Sequence, residues 1–251
     1  MRIWHQSAVE LDSLPQYAAS LSRRYAEVAA PDTEVVLHGV PSGTYGLSSP
    51  AQALGHPAER QRIANLILEQ VRQAERQGFD PVMIASFAEP ALREARASLA
   101  IPVTSMAEGS YLAACSAACQ IGVVTISQAG AHMLQEGIAQ HRLESRVSPV
   151  LNLDPEADEF DLQRAFSQPD GVRAAFESCC RKAIAAGADV LIPGEGVLNE
   201  LAVHLGIREV DAVAVLDAIA ITVMHTEMLV RAYRGAGLRT GRRRGAVANP
   251  A

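Results

Sequence analysis

One short pattern occurs twice in the chain, and it constrains the fold more than any other feature. The two copies, 78–92 and 187–201, each read as glycine, one residue, aspartate, an apolar run and then a polar residue. Aligned without a gap, the copies pair Asp80 with Asp189 and Ser86 with Glu195. A short apolar run between turn residues is typical of a buried strand. The chain is therefore predicted to contain one strand-and-loop unit in duplicate.

Strand-like apolar runs alternate with amphipathic helical segments along the chain. The runs cover residues 1–7, 33–40, 81–87, 101–110, 120–128, 188–196 and 210–220. Such alternation predicts parallel sheets joined by right-handed crossovers. The composition agrees, because a chain that is 49% hydrophobic but only 4% aromatic favours helices on parallel strands over an all-β sandwich. We predict an α/β fold of one large domain or two small ones.

Two connecting segments stand out. Residues 40–57 are rich in proline, glycine and serine, and they are long enough to form a functional lid or flap. We expect side chains that set substrate specificity to lie there. Residues 154–161 form a polar stretch rich in Asp and Glu.

Polar residues cluster where the predicted strands end. In open parallel sheets, ligands bind outside the carboxyl ends of the strands. The polar and glycine residues at these ends are His5, Gln6, Ser7, Ser86, Thr125, Ser127, Glu195, Gly196 and Asp217. This is the set from which we choose candidate site residues.

The charge limits the classes of partner. The formal net charge is -6 and the pI is about 5.7, whereas a general nucleic-acid binder needs a basic face. The basic segment 238–245 is more typical of a solvated end than of an RNA or membrane contact. The sequence shows no signal peptide and no apolar run that could cross a bilayer. We expect a cytoplasmic protein that binds neither nucleic acid nor membrane.

The four cysteines indicate structural thiols. Cys115 and Cys119 lie one helical turn apart, and Cys179 and Cys180 are adjacent on a predicted helix. Neither pair is accompanied by the further His or Cys ligands that a zinc site requires. We therefore expect buried, reduced cysteines and no bound metal.

Several stretches together resemble the aspartate/glutamate/hydantoin racemase superfamily, and its hydantoin racemase branch most. In chain order they read MRIWHQS, PDTEVVLHG, IASFAEPALREAR, IPVTSMAEGS, IGVVTIS, GADVLIPGEGVLNELA, VAVLDAIA and GLRT. The resemblance implies two Rossmann-like lobes with parallel sheets, related by pseudo-twofold symmetry, and an active-site cleft between them. It also implies catalysis without a cofactor, and a homo-oligomer. We assign residues 1–103 and 216–251 to the first lobe and 104–215 to the second.

The residues at the reactive positions depart from this family. In its racemases, one cysteine from each lobe flanks the α-carbon of the substrate; one thiolate removes the proton and the other thiol returns one to the opposite face. Here those positions hold Ser86 and Glu195. A serine hydroxyl is a poor proton carrier at neutral pH, whereas a thiol has a pKa of about 8.5. A two-thiol racemase is therefore excluded by residue type.

Glu195 is the predicted catalytic residue, with Ser86 as its partner. Burial in a cleft raises the pKa of a carboxyl group, which suits a general acid or base near neutral pH. The flanking Gly194 and Gly196 leave backbone amides free to approach substrate oxygens. Ser86 could donate to a developing oxyanion or, helped by a base, act as a nucleophile. The other predicted substrate-binding residues are His5, Gln6, Ser7, Phe87, Glu108, Thr125, Ser127 and Asn199.

Structural roles are the alternative for most of these residues. Glu195 could stabilise a helix N-terminus without taking part in chemistry, and Ser86 could fill the space of a lost thiol. Asp217 is expected to cap the last helix. Helix-terminal roles are also open for Glu89 and Glu108, and packing or surface roles for His5 and His225.

Three functions fit this pattern. With Glu195 as the only strong base, one-sided chemistry is favoured: hydrolysis or desulfuration of a hydantoin-like or thiohydantoin-like ring, hydration, elimination or decarboxylation, with small amino or dicarboxylic acids as the other substrate class. The first alternative is racemisation by Glu195 with a relay through Ser86 and His5. The second is a ligand-binding protein without catalysis. We favour an enzyme, because a buried ionisable carboxylate is costly unless it is used.

Overall fold

The computed structural model describes residues 1–239, in which strands and helices alternate as the sequence predicts. The strands are β1 (Arg2–Gln6), β2 (Glu34–His38), β3 (Val82–Ile84), β4 (Val103–Ser105), β5 (Ile121–Thr125), β6 (Val147–Asn152), β7 (Val190–Pro193), β8 (Glu209–Val210) and β9 (Val213–Ala214). The helices are α1 (Pro15–Val28), α2 (Pro50–Gly55), α3 (Pro57–Arg76), α4 (Leu92–Ser98), α5 (Met106–Cys115), α6 (Gln128–His141), α7 (Glu159–Ala165), α8 (Asp170–Ala185), α9 (Gly196–His204) and α10 (Ala218–Gly235). Most of the basic segment 238–245 lies outside the described residues.

Two parallel sheets form the centre of the molecule. Their strand orders are β2-β1-β3-β4 and β6-β5-β7, and all pairs within them are parallel. Val215 makes one parallel bridge to Leu191 of β7. It therefore occupies the position in the second sheet that β4 occupies beside β3 in the first. Each half therefore runs strand, helix, strand, short helix, long helix, strand, helix, edge strand and helix. The predicted α/β class with two parallel-sheet lobes is confirmed.

The duplicated sequence pattern has the same structural cause in both halves. Gly78 and Gly187 follow the ends of α3 and α8 with φ of +73° and +102°, where glycine avoids the strain of a side chain. Asp80 then accepts a hydrogen bond from the first amide of β1 at 2.7 Å. Asp189 accepts from the two amides that precede β5, at 2.9 Å each. Each copy thus ends a long helix and ties the next strand to its neighbour in the sheet.

One hydrophobic core extends through both halves. The strands β3, β4, β5 and β7 are buried along their whole length. The larger apolar cluster joins Ile3 and Leu14 of the first half to Val123 and Leu191 of the second. The lobe boundary predicted between residues 103 and 104 falls inside β4, which belongs entirely to the first sheet. The rest of the predicted division stays a prediction.

The second part of segment 40–57 is a helix rather than an irregular loop. Ser49 caps α2 by accepting a hydrogen bond from the Gln52 amide at 3.3 Å, and the Gln52 side chain accepts from the Ser49 amide at 3.1 Å. This reciprocal pair is a capping box, and Pro50 occupies the first helical position, where its missing N–H costs nothing. The loop prediction is therefore wrong for residues 50–55.

In the second half, one strand was not predicted and one predicted strand is wrong. The sequence does not predict β6, because Pro149 and polar residues interrupt its apolar pattern. Most of this strand is only half-buried, as suits an edge strand. The strand predicted over 210–220 is wrong along most of its length. Asp211 and Ala212 have φ of +48° and +63° and form the turn between the short antiparallel strands β8 and β9.

Asp217 caps α10, as predicted, by accepting from the Ala220 amide at 3.1 Å.

The cysteines agree only in part with the expected burial. Cys179 and Cys180 are buried and free, whereas Cys115 is half-buried and Cys119 is exposed. The prediction of buried thiols is therefore wrong for Cys119.

Candidate active site

The carboxyl ends of β1, β3, β5 and β7 surround one cavity, lined by residues of both halves. Its empty space, including the open mouth, is about 600 Å³. The predicted site residues in its lining are Ser7, Ser86, Phe87, Thr125, Ser127, Gly194, Glu195 and Gly196. The structure therefore brings these residues together, while their roles in binding or catalysis stay predictions.

Two residues at the end of β1 lie outside this lining. His5 is 0% exposed, and its Nδ1 lies 2.7 Å from the Tyr25 hydroxyl. Burial and the nearby His38 lower the pKa of His5 to about 3, so the ring is neutral. The Gln6 side chain accepts from Trp4 Nε1 at 2.9 Å and donates to the Ser7 carbonyl at 3.1 Å. His5 Nε2 has no hydrogen-bond partner among the described residues. Neither side chain lines the cavity, so their role in substrate binding stays a prediction that this cavity does not support.

Two further predicted residues serve helix and ion-pair contacts elsewhere. Glu108 on α5 forms a bidentate ion pair with Arg96, which lowers the pKa of Glu108 despite its partial burial. Asn199 on α9 accepts from the Ala218 amide at 2.8 Å and donates to Asp217 at 3.2 Å. Asn199 therefore fixes the start of α10, and neither side chain lines the cavity.

Glu195 combines a helix-capping role with a position in the cavity wall. Its carboxylate accepts from the Leu198 amide at 2.7 Å, so the helix-capping contact of the structural alternative is present. The side chain also borders the cavity. Burial raises the pKa of Glu195 above that of an ordinary glutamate, even though the backbone amides at the start of α9 favour the charged form. The capping bond thus orients a carboxyl group that holds its proton more tightly than in water.

A second carboxyl group, Glu159, lines the same cavity and was not singled out by the sequence. It is the first residue of α7 and is only 3% exposed. Its Oε2 accepts from the Ala51 amide on α2 at 3.1 Å. Burial, and then the neighbouring Glu195, raise the pKa of Glu159. Nothing in the sequence of the acidic stretch 154–161 distinguishes Glu159 from its neighbours. The packing of α7 decides which of these acidic residues is buried.

Tyr17 is another lining residue that sequence reasoning missed. It lies on α1, is almost fully buried, and has its hydroxyl against Gly196. A Cβ atom at position 196 would stand 2.7 Å from that oxygen, which explains the glycine after Glu195. Burial, and then the charge of Glu195, raise the pKa of Tyr17 far above its usual range, so the phenol is a hydrogen-bond donor.

Hydroxyl groups from both halves complete the polar lining. Ser86 Oγ accepts from the Ala88 amide at 3.2 Å, which leaves its proton free to donate. Ser127 caps α6 by accepting from the Gly130 amide at 3.1 Å. Thr125 is buried and donates to the Gly194 carbonyl at 3.3 Å. Ser86 follows β3 in the first half, whereas Thr125 ends β5 and Ser127 follows it in the second.

The lining carries negative but no positive side chains. Two glutamates border the cavity, and no Lys, Arg or His does so among residues 1–239. None of the four cysteines is in the lining either. Within the same residues, no cluster of three or more His, Cys, Asp or Glu side chains could hold a metal ion.

The comparisons with known proteins agree with this architecture. The model of the Asp/Glu/Hydantoin racemase family matches residues 13–226. The chain belongs to this family. No curated protein matches it in sequence. Among the helices of the described residues, none is long and apolar enough to cross a membrane.

Three solved structures illustrate the likeness of the fold. Allantoin racemase from Klebsiella pneumoniae is 22% identical with a TM-score of 0.76, over 100% of this chain and 94% of that one. Allantoin racemase from Pseudomonas fluorescens is 22% identical with a TM-score of 0.74, over 100% and 98%. Arylmalonate decarboxylase is 13% identical with a TM-score of 0.53, over 92% of each chain. At such identities the likeness establishes the fold of this racemase-family protein and leaves the reaction open.

Proposed function

We propose that this protein is an enzyme that acts on a small, uncharged cyclic ureide, such as a hydantoin or thiohydantoin, through acid/base chemistry at Glu195. The observation that carries the proposal is a carboxyl group of raised pKa in a cavity without basic side chains among the described residues. A general base works best when its pKa lies near the operating pH. Glu195 meets that requirement, and the reaction needs no thiol.

The charge of the cavity favours a ureide over an amino or dicarboxylic acid. A substrate carboxylate would face Glu159 and Glu195 with no Lys, Arg or His in the described lining. Two like charges 4 Å apart repel by about 4 kcal/mol at an effective dielectric constant of about 20. A ureide ring instead presents N–H donors to the carboxylates and C=O acceptors to the hydroxyl groups. The two allantoin racemases of the same fold support this substrate class by their names.

The arrangement of the walls favours one-sided chemistry. Glu195 would remove a proton from water or from the ring, and the Ser86 hydroxyl, with its oxygen already accepting from a backbone amide, would donate to the developing oxyanion. Inversion needs a second proton carrier, and the first half contributes only the hydroxyl groups of Ser7, Tyr17 and Ser86 to the lining, which are poor proton carriers at neutral pH. A relay through His5 is not supported, because that ring is bonded to Tyr25 behind the wall. Ring hydrolysis or desulfuration therefore ranks above racemisation, and decarboxylation is disfavoured because its substrate would carry a carboxylate into the same acidic cavity.

Purified protein tested on hydantoins, thiohydantoins, allantoin and acidic amino acids checks the proposal. Chiral chromatography would follow inversion, and mass spectrometry would follow ring opening, desulfuration or loss of CO₂. We expect turnover of a ureide and a loss of about 10²–10⁴-fold in kcat for Glu195→Gln. Ser86→Ala should cost about 10²-fold, the effect of one oxyanion donor.

Glu144→Gln is the matched control, since Glu144 is an exposed glutamate away from the cavity. It should keep full activity. Full turnover by Glu195→Gln would show that the proposed base is wrong. A ureide that raises the melting temperature but is recovered unchanged would instead indicate a ligand-binding protein.

A further inference from the structure

We propose that Glu159 and Glu195 act as a pair that shares one proton, so that the cavity offers a general acid beside a general base. This inference rests on the proposed function, because it assigns the acid that Glu195 alone cannot supply. It concerns a residue of the acidic stretch 154–161 to which the sequence assigns no role.

The position of the two side chains is the first argument. Both line the same cavity. Glu159 opens α7 after β6, and Glu195 precedes α9 after β7, so both come from the second half of the chain. Ser86, which follows β3, comes from the first half. The second half therefore contributes both carboxyl groups to the lining, and the first half contributes the serine hydroxyl.

The surroundings of the pair supply the second argument. Each carboxylate is held by a backbone amide, Ala51 for Glu159 and Leu198 for Glu195, and no basic side chain forms an ion pair with either among residues 1–239. The other titratable groups that interact electrostatically with Glu159 are Asp158, Tyr17 and Tyr45. Asp158 is acidic and the two phenols are neutral.

Electrostatics then decides the protonation state. Two carboxylates in one poorly solvated site cannot both ionise near neutral pH, because desolvation and mutual repulsion each favour a proton on one of them. The tyrosines are neutral and carry no compensating charge. The amides of Ala51 and Leu198 favour negative charge on either partner, so the shared proton is poised between the two.

A ring hydrolysis illustrates how the pair would work. Water forms a bond to a ring carbonyl carbon while its proton passes to the Glu195 carboxylate. The C–N bond of that carbon then breaks, and the proton of the Glu159 carboxylic acid goes to the departing nitrogen. One water is consumed, and Glu195 now carries the proton while Glu159 is ionised. A proton transfer between the two restores the starting state without an oxidant, reductant or metal.

An NMR titration of the substrate-free protein tests the pair directly. With glutamate labelled at the carboxyl carbon, Glu159→Gln and Glu195→Gln assign the two signals. In the wild-type protein we expect the chemical shift of each carboxyl carbon to change in two steps. Both carbons should show the same two steps, separated by more than one pH unit. In either single variant the surviving glutamate should titrate once, at least one unit below the upper wild-type step. Glu156→Gln, an exposed neighbour in the same acidic stretch, should leave both steps unchanged.

Independent titration of the two carboxyl groups would overturn the proposal. One such outcome is that each wild-type carboxyl carbon shows a single titration step. The other is that the Glu195 signal has the same midpoint in the wild-type protein and in Glu159→Gln. The wild-type titration alone decides the first outcome, so the test holds even if a variant folds poorly. Kinetics give a second readout, since Glu159→Gln should lower kcat about 10²-fold and remove the alkaline limb of the pH–rate profile.

The two proposals fail in different ways. Coupled titration without turnover of any ureide would leave the carboxyl pair standing and reject the proposed substrate. Turnover that depends on Glu195 but is unaffected by Glu159→Gln, at every pH, would reject the pair and keep the proposed function.

Discussion

At the scale of single residues, the Gly-Glu-Gly sequence at the end of β7 explains why a carboxylate stands between two glycines. Gly194 is packed so closely that a Cβ would lie 2.5 Å from Val123 and 2.9 Å from Leu134. At Gly196, a Cβ would clash with the Tyr17 hydroxyl. Glu195, between them, caps α9 and faces the cavity. The two glycines thus allow close packing on both sides of the buried Glu195, between the end of β7 and the start of α9.

This packing leads to a prediction for two glycines with opposite outcomes. Gly194→Ala should destabilise the protein by about 1–3 kcal/mol, because an added methyl group overpacks the core. Gly137→Ala, in the interior of α6 with no atom within 4 Å of the new Cβ, should stabilise it by about 0.5–1 kcal/mol through the lower entropy of the unfolded chain. Urea unfolding measures both. A Gly194→Ala protein as stable as Gly137→Ala would contradict the close packing.

Residue positions also show the limit of the strand-end argument. Ser7 lines the cavity, while its neighbours His5 and Gln6 point into core contacts. Successive residues of a strand point to opposite faces, so the end of a strand can be predicted without knowing which side chains face the site. Four of the predicted substrate-binding residues, His5, Gln6, Glu108 and Asn199, do not line this cavity, and neither does Asp217.

At the scale of secondary-structure elements, helix termini join the two halves. Glu89, expected at the start of α4, instead caps α5 by accepting from the Glu108 amide at 3.1 Å, and its other oxygen lies 2.5 Å from His141 at the end of α6. Glu89 has φ of +48°, so this contact holds the loop that carries Ser86 in an uncommon conformation. An ionic contact between halves therefore supports the cavity wall.

The pairing of His141 predicts a pH-dependent contribution to stability. The hydrogen bond to Glu89 raises the pKa of His141, so its stabilising effect is fully present below the unfolded pKa of about 6.5 and is lost as pH rises through the folded pKa. His141→Gln should therefore cost about 1–2 kcal/mol near pH 6 and progressively less towards pH 9. Thermal melts across this range measure the difference.

His132 provides the control for that experiment. It lies on the same helix and pairs with Glu136 at 3.5 Å, but its side chain is 71% exposed. Surface pairs of this kind contribute little, so His132→Gln should change stability by less than about 0.5 kcal/mol. A cost of His141→Gln that grows with pH would refute the assigned sign.

At the scale of the whole molecule, the short helices α2 and α7, one from each half, both border the cavity. The Ala51 amide of α2 donates to Glu159 of α7 at 3.1 Å. In turn, Gln163 of α7 accepts from the Tyr17 amide of α1 at 3.3 Å. Together with the shared apolar cluster, these contacts tie the two parallel-sheet halves into one packed structure.

Shared packing predicts a single unfolding transition. Trp4 is the only tryptophan of the chain and is buried in the first half, where it stacks on His38 at 3.4 Å. Its fluorescence therefore reports on that half, whereas far-UV circular dichroism reports on the helices of both. The two urea transitions should superimpose, because neither half can lose its core without exposing the other. A Trp4 transition clearly displaced from the dichroism curve would show that the halves unfold independently.

The sequence by itself determined the duplicated unit, the parallel α/β class, the polar strand ends, and that Ser86 and Glu195 replace cysteine at the two matched positions. These follow from local periodicity, turn chemistry and residue type, all of which can be read along the chain. Only the tertiary structure decided that Glu159 and Tyr17 join Glu195, and that Glu108 and Asn199 do not. Burial and electrostatic coupling arise between residues distant in sequence, so the same acidic residue is a solvated surface group or a cavity acid depending on the helix that packs above it.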